Sequence, residues 1–334
     1  MTIHILHSGL LTTLQDLGRV GYQKQGIIVS GAMDVYSLRL ANLLVGNDEG
    51  EAALEVTLMG PKLKFDDDTL LAVTGGNLSP TIDGRILPMG RPVYVKAGSI
   101  IKFGACQSGC RAYLAVAGGY DVPKVMGSKS TYLRAGLGGF HGRSLQKGDV
   151  LSVQAPQETS LRMIQHFVKQ HSAVSFVSTD WCAGRGQTAI SSGRAIRITR
   201  GRQFDLFTEA SKNALLTDSF RVTPQSDRMG YRLSGAVLKL AHQVEMISEG
   251  ITLGAIQVPP DGQPIILLAD RQTAGGYPKI AQVIAVDVAV IAQSKPGSLL
   301  SFQEVSVAEA ERLYLAKEKA FAQLKAAVSL KLQS

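Results

Sequence analysis

Cysteine, charge and long apolar runs are all scarce in this chain. Its three cysteines, Cys106, Cys110 and Cys182, are an odd and low number. That argues against a disulfide framework and for a reducing compartment. Cys106 and Cys110 stand C-x3-C with no second Cys or His pair at ligand spacing, so no zinc site is expected. Charged residues make up only 19%, which excludes a disordered or coiled-coil chain. The N-terminus MTIHILHSGLLTTLQD has no charged region leading into an apolar core, so no signal peptide is expected. The longest apolar stretch, 283–292, is broken by Asp287 and is too short to span a bilayer. The expectation is a cytoplasmic protein with no membrane partner.

The common catalytic signatures are missing too. There is no G-x-S-x-G elbow and no H-E-x-x-H. Gly127-Ser128-Lys129-Ser130 is only a near miss to a nucleotide-binding loop. Gly136-Leu137-Gly138-Gly139 does not complete a dinucleotide fingerprint, and no βαβ period surrounds it. The six histidines are dispersed, so no metal triad is visible, and no Met-Lys-Met segment would carry biotin.

What is present is glycine and strand-forming residues. Hydrophobic residues are 45% of 334, and 35 glycines accompany abundant Val, Ile and Thr. This composition favours many short strands joined by tight turns, in one large or two medium domains. The net charge is +8, but the basic residues are spread out, with part of the excess in 185–202 and the last helix. No aromatic-interleaved basic stripe appears, so nucleic acid is not an expected partner. The excess reads as a solvated basic surface or as attraction for an anionic substrate or partner.

Strands are expected at 3–6, 61–65, 69–74, 93–95, 99–103 and 111–116, then at 174–178, 195–199, 204–206, 220–223, 231–234, 244–247, 255–258, 264–269 and 283–290. A helix capped by Asp34 should run through Leu38 and Leu44 to Gly46-Asn47, with a short helical turn at 49–55. Residues 154–172 read as a connector. Thr208 should cap a short helix with Leu215 and Leu216 inward. Ser306-Val307-Ala308-Glu309 is a capping box before a long helix with Ala310, Leu313, Ala316, Ala320, Leu324 and Val328 on one face and Phe321 beside them. The coarse organisation is a β domain over 1–160, a second over 161–305 and a surface helix over 306–334.

Polar residues cluster with glycine where apolar strands end, which is how a site is placed on a rigid rim. In Ser226-Asp227-Arg228-Met229-Gly230-Tyr231, Arg228 can clamp a carboxylate or phosphate with Asp227 orienting it, or can sit in a structural ion pair. Glu249 is a candidate base or acceptor, and Gln257 a residue of a barrel interior; the alternative for this segment is a β-bulge with a satisfied amide. After the strand at 264–269, Asp270 is a candidate base, and Gln272, Thr273 and Tyr277 offer donors. Gly275-Gly276 lets backbone N–H groups approach an anion, or forms a plain tight turn. In the N-terminal half, Asp16, Arg19, Ser30 and Asp34 flank a glycine-containing loop. Asp34 is equally a helix cap, and Asn42 and Glu55 are placed to tie that helix to the loop.

Several long strings resemble the family of 5-oxoprolinase C subunits, also called allophanate hydrolase subunit 2 or the biotin-dependent carboxyltransferase family, which includes KipA. They are TTLQDLGRVGYQ, SGAMDVYSLRLANLLVGN, AALEVTLMGPKLKF, TGGN, SDRMGYRL, SEGITLGAIQVPPDGQPIILLADRQTAGGYPKIA and GSLLSFQEVSVAEA. They cover most of 9–310, apart from 161–200. Ala274 departs from the family's pattern, which has a second threonine there. The resemblance implies a mainly β fold with a few helices, built as two cyclophilin-like β-barrel domains. It also implies a 5-oxoprolinase component that works with a KipI-like B subunit and an A subunit to hydrolyse 5-oxo-L-proline to L-glutamate. ATP, with or without Mg²⁺, would be bound in that complex. Two alternatives stand beside it. One is carboxyl transfer to urea or a related amide, with biotin supplied in trans. The other is a KipA-like regulator that binds a histidine-kinase inhibitor. In the leading reading Asp270, Glu249 and Arg228 are catalytic. Ser226, Asp227, Tyr231, Gln257, Gln272, Thr273, Gly275, Gly276, Tyr277, Asp16, Arg19, Ser30 and Asp34 bind substrate or nucleotide.

Overall fold

The computed structural model describes residues 1–170, 174–183 and 194–333. His171, the end of the expected connector and residues 185–193 of the basic stretch 185–202 therefore lie outside the described residues. The chain divides into two compact units. The first comprises Met1–Arg19, Asp34–Ala189 and Phe321–Ser334; the second comprises Val20–Met33 and Ile190–Ala320.

The first unit is built on two six-stranded sheets. One orders its strands Val150–Ser152, Thr2–His7, Lys62–Phe65, Ile100–Lys102, Thr81–Ile82 and Arg85–Ile86. The other orders Phe176–Ser178, Val93–Val95, Thr69–Asn77, Ser108–Val116, Ala53–Thr57 and Leu11–Gln15. Period-2 alternation sends Ile3, Ile5, Leu63, Phe65 and Ile101 of the first sheet and Leu14, Leu54, Val56, Leu71, Val73 and Leu114 of the second into one core. The opposite face of the second sheet is polar yet buried. Thr13, Glu55 and Tyr113 stand in register across three strands there.

Helix α1 (Val35–Leu44) lies over that sheet. The Asp34 carboxylate accepts from the Ser37 N–H at 3.1 Å and so caps it, as the sequence predicts. Thr74 Oγ1 donates to the Ser37 carbonyl and fastens the helix to the strand beneath. The turn expected at 49–55 is instead followed by the strand Ala53–Thr57, because pairing on both edges satisfies its backbone. The expected connector contains helix α2 (Glu158–Gln170). Leu161, Ile164, Phe167 and Val168 recur in it at helical spacing, and tertiary contacts hold it: Ser160 Oγ donates to the Val45 carbonyl, and Phe167 stacks on Tyr94. These contacts, together with the strand Phe176–Ser178, carry the first unit past the expected split at residue 160.

The second unit is an eight-stranded sheet ordered Leu299–Leu300, Phe220–Val222, Gly230–Ser234, Ile265–Leu267, Ala255–Gln257, Lys279–Val283, Ile196–Arg200 and Phe302–Glu304. Its two edge strands are separated in sequence by Ser301 alone, so the chain steps from one edge to the other and the sheet closes almost into a barrel. Ile198, Phe220, Leu233, Ile256, Ile266 and Ile280 fill the interior, and Met33 of the 20–33 segment joins them. The mainly β expectation holds. A small ribbon, Glu249–Gly250 with Ala274–Gly275, stands apart from this sheet.

Three local expectations are corrected here. Residues 204–206 form a 3-10 turn, not a strand. Residues 244–247 form no strand; pairing starts at Glu249, and Ile247 is left exposed. The apolar run 283–290 breaks after Val283 into a 3-10 turn and helix α4 (Val288–Ala292), with α3 (Glu209–Thr217) preceding it in the chain. Asp287 causes that break: its carboxylate receives both the Arg197 backbone N–H and the Arg197 guanidinium, which turns the chain inward. Helix α3 carries the expected Thr208 cap.

Helix α5 (Val307–Gln333) begins as expected, with Ser306 Oγ accepting from the Glu309 N–H. The reciprocal arm of the box is diverted, because the Glu309 carboxylate takes the Arg312 guanidinium instead. Its last part is no free surface helix. Phe321 is buried, meets the Tyr36 ring edge-on at 5.4 Å and lies under the Arg39 guanidinium. Lys325 reaches Glu49. No helix among the described residues is long and apolar enough to cross a membrane.

Candidate functional site

The residues singled out by sequence fall into separate clusters, and their chemistry differs. In the second unit Arg228 and Asp270 are both buried and face each other. Nε reaches Oδ2 at 3.0 Å and Nη2 reaches Oδ1 at 3.1 Å. Arg228 also donates to the Gly31 carbonyl, and Ser30 Oγ donates to Asp270 Oδ1 at 2.8 Å. Ser30 and Gly31 both take positive φ, a conformation unfavourable for serine that this cluster holds in place. The backbones cooperate, since the Asp270 N–H bonds the Arg228 carbonyl. Arg228 is therefore a neutralised bracket around the 30–31 turn, and the Asp270 carboxylate is filled with donors.

Ser226, Asp227 and Tyr231 support the same turn. Asp227 Oδ1 accepts the Met229 and Gly230 N–H groups as an Asx turn. Ser226 Oγ accepts the Arg232 N–H, and the buried Tyr231 hydroxyl donates to the Ser294 carbonyl.

Glu249 heads a second cluster. Lys279 Nζ lies 2.6 Å from Oε1, Gln203 Nε2 lies 2.9 Å from the same oxygen, and Arg202 Nη1 lies 2.8 Å from Oε2. The Lys279 hydrogen bond, reinforced by Gln203, holds this carboxyl below the ordinary carboxylate range. A carboxylate so stabilised is a weak proton acceptor and a strong anchor. Sequence reading missed Lys279, Gln203 and Arg202, because they lie 30 to 47 residues from Glu249. The only local signal was a basic residue following Tyr277-Pro278.

The third cluster surrounds Gly275. The Glu249 backbone pairs with Gly275 in the small ribbon. A Cβ at Gly275 would meet Ile251 Cδ1 at 2.7 Å, Gln272 Nε2 at 2.8 Å and Gln257 Nε2 at 3.2 Å. Glycine is what lets two carboxamides converge there. Gln257 is 2% exposed, and among the described residues its carboxamide makes one hydrogen bond, a long one to the Tyr277 carbonyl. Arg271, given no role by sequence, is half-buried, and its guanidinium bonds the Ile251 and Leu268 carbonyls, each at 3.3 Å. Burial lowers its pKa from the ordinary guanidinium value. Thr273 offers its carbonyl to the Ile251 N–H, a Cβ at Gly276 would meet nothing closer than 3.5 Å, and Tyr277 is exposed.

In the first unit the residues act as a frame. The Asp16 carboxylate accepts from the Gly18 N–H, the Lys129 N–H and the Ser128 and Ser130 hydroxyls, closing the loop 127–131. Arg19, almost fully buried, donates to the Ser130 carbonyl. Lys129 of the nucleotide-loop near miss turns its ammonium to Glu51 and the Tyr120 carbonyl. Asp34 joins Glu55 through Tyr113, whose hydroxyl accepts the Asp34 N–H and donates to Glu55 Oε2 at 2.7 Å. Burial first, then the Glu55 and Asp34 charges, push that phenol well above its ordinary pKa, so it stays neutral. Asn42 ties α1 to the Glu51 carbonyl. Among the described residues no group of three or more His, Cys, Asp or Glu is placed to hold a metal ion.

Comparison with known proteins places this frame. The family model described as carboxyltransferase domain, subdomain A and B, matches residues 25–304. The chain is 38% identical to the C subunit of 5-oxoprolinase from Escherichia coli (strain K12) over 322 residues, 96% of this chain and 97% of that protein. It is 39% identical to the C subunit of 5-oxoprolinase from Haemophilus influenzae over 93% of this chain and 94% of that protein. Among solved structures, the urea amidolyase of K. lactis superposes with a TM-score of 0.85 at 33% identity, over 97% of this chain and 20% of that one. The chain thus spans one fifth of that larger enzyme. Two compact β units, a nearly closed sheet and this near full-length likeness agree: the chain belongs to the carboxyltransferase-domain family that includes the 5-oxoprolinase C subunits.

Proposed function

We propose that this chain is one component of a 5-oxoprolinase that, with its A and B subunits, hydrolyses 5-oxo-L-proline to L-glutamate, coupled to ATP hydrolysis. The observation that carries this reading is the end-to-end likeness to two proteins named as C subunits of 5-oxoprolinase. The likeness to urea amidolyase covers a small part of a much longer chain and supports a shared domain more than a shared reaction.

The chemistry around Gly275 suits a small amide. A lactam presents N–H and C=O side by side, and a glutamine carboxamide offers the complementary pair. Gln257 and Gln272 both aim their carboxamides at Gly275. Glu249 and Lys279 pair at the edge of the same ribbon and hold it in place.

The same residues do not fit a nucleotide triphosphate. Arg228 is neutralised by Asp270, and Lys279 and Arg202 by Glu249, which leaves Arg271 as the cation without a carboxylate in these clusters. In this reading ATP is bound in the assembled complex, and no metal step is assigned here. Glutamate release from 5-oxo-L-proline by the three mixed proteins, with and without ATP, tests the reading. ATP-dependent glutamate that disappears when this chain is omitted is the expected result; no glutamate from a verified complex would overturn it. In that event carboxyl transfer to urea, with biotin on another chain, is the second reading, and sensitivity to avidin is its test. A purely regulatory protein would bind the KipI-like B subunit and show no effect of any substitution at Gly275 or Glu249.

A further inference from the structure

Arg228, Lys279 and Arg271 lie around the strand ends of the second unit, and the first two are each held by a carboxylate. Arg271 differs in kind. Its guanidinium is half-buried, its two hydrogen bonds are long contacts to carbonyls, and burial is the one influence that shifts its ionisation. Desolvating a charge without a counter-charge is unfavourable, and such a group is retained where a ligand supplies the counter-charge.

A second observation stands beside it. Gln257 is 2% exposed, and the one hydrogen bond its carboxamide makes among the described residues is a long one, from its nitrogen to the Tyr277 carbonyl at 3.4 Å. A carboxamide held this loosely keeps hydrogen-bonding capacity for a ligand. The Gln257 and Gln272 nitrogens lie 3.2 and 2.8 Å from one point above Gly275, the position a Cβ would take. Ile251 links the two features: its carbonyl receives Arg271 Nε, and its Cδ1 borders that same point.

We propose that Gly275, Gln257, Gln272 and Arg271 form a recognition site for a small amide bearing a carboxylate, with Arg271 taking the carboxylate and the glutamines taking the amide edge. Taking 5-oxo-L-proline as that ligand rests on the function proposed above; the site's preference for an anionic amide does not. Arg228 would then be a structural bracket, and selectivity for the acid over a neutral lactam would come from Arg271. A charge-assisted carboxylate contact of this kind is worth about 10- to 100-fold in affinity.

The test uses the assembled complex and two probes, 5-oxo-L-proline and its neutral analogue 2-pyrrolidinone. Binding of both is measured by calorimetric titration for the unaltered complex and for Arg271→Gln and Arg271→Lys, and glutamate release is followed in parallel. The expected result is tighter binding of the acid by the unaltered complex. Arg271→Gln should lose that preference by about 10-fold or more through the acid alone, with Arg271→Lys intermediate. In turnover the loss should appear in KM more than in kcat. Equal affinity for both probes, no saturable binding of either, or an unchanged preference in Arg271→Gln would overturn the site. If no glutamate forms but the Arg271-dependent preference is present, the reaction assignment fails and the site stands.

Discussion

Arg228 and Asp270 form a two-point ion pair in which both side chains are buried and Ser30 donates to the same carboxylate. Removing one member strands the other charge. Arg228→Ala or Asp270→Ala should lower unfolding stability by about 3–5 kcal/mol, measured by chemical denaturation. A variant as stable as the parent but without turnover in the complex would instead make the pair catalytic.

Glu249 gives a pH signature. Its folded-state pKa is depressed, chiefly by the Lys279 hydrogen bond. A depressed carboxylate adds stability that is present above the unfolded value, about 4.3, and is lost as pH falls through the lower folded value. The melting temperature of the parent should therefore fall towards that of Glu249→Gln as pH drops from 6 to below about 4. Parallel curves for the two proteins over that range would show that the cluster contributes nothing to folding.

Gly275→Ala separates site from fold. The φ of Gly275 is not positive, and its nearest would-be neighbours are the ends of Ile251, Gln272 and Gln257. These side chains can move, so the loss of stability should stay within about 1–3 kcal/mol, while the carboxamides are pushed apart. Thermal melting with a KM measurement in the complex checks this. A large stability loss with unchanged KM would show that the glycine serves the ribbon alone.

Phe321 anchors the end of α5 through Tyr36 and Arg39. Phe321→Ala should cost about 3–5 kcal/mol and raise amide exchange over 321–333, while the capped start at Ser306 stays protected. Uniform exchange along the helix in both proteins would contradict the anchoring.

The elements legible in sequence were those set by residues close together. Asp34, Thr208 and Ser306 each cap a helix three residues away, and alternation placed most strands of both units. The connector reading misses helix α2 although Leu161, Ile164, Phe167 and Val168 recur at helical spacing; Phe167 on Tyr94 and Ser160 on Val45, far along the chain, fix it in place. The Gly275 loop was marked by its glycines and amides, but Arg271 looked like any other loop arginine.

By itself the sequence determined a mainly β protein, its principal turns and caps, and its family, since these rest on local pattern and on long ordered strings. Tertiary structure alone decided which charges are paired. Arg228 meets Asp270 across 42 residues, Glu249 meets Lys279 across 30, and Ser30 meets Asp270 across 240. An ion pair depends on distance in space and on shared burial, and neither is written in the spacing of residues along the chain.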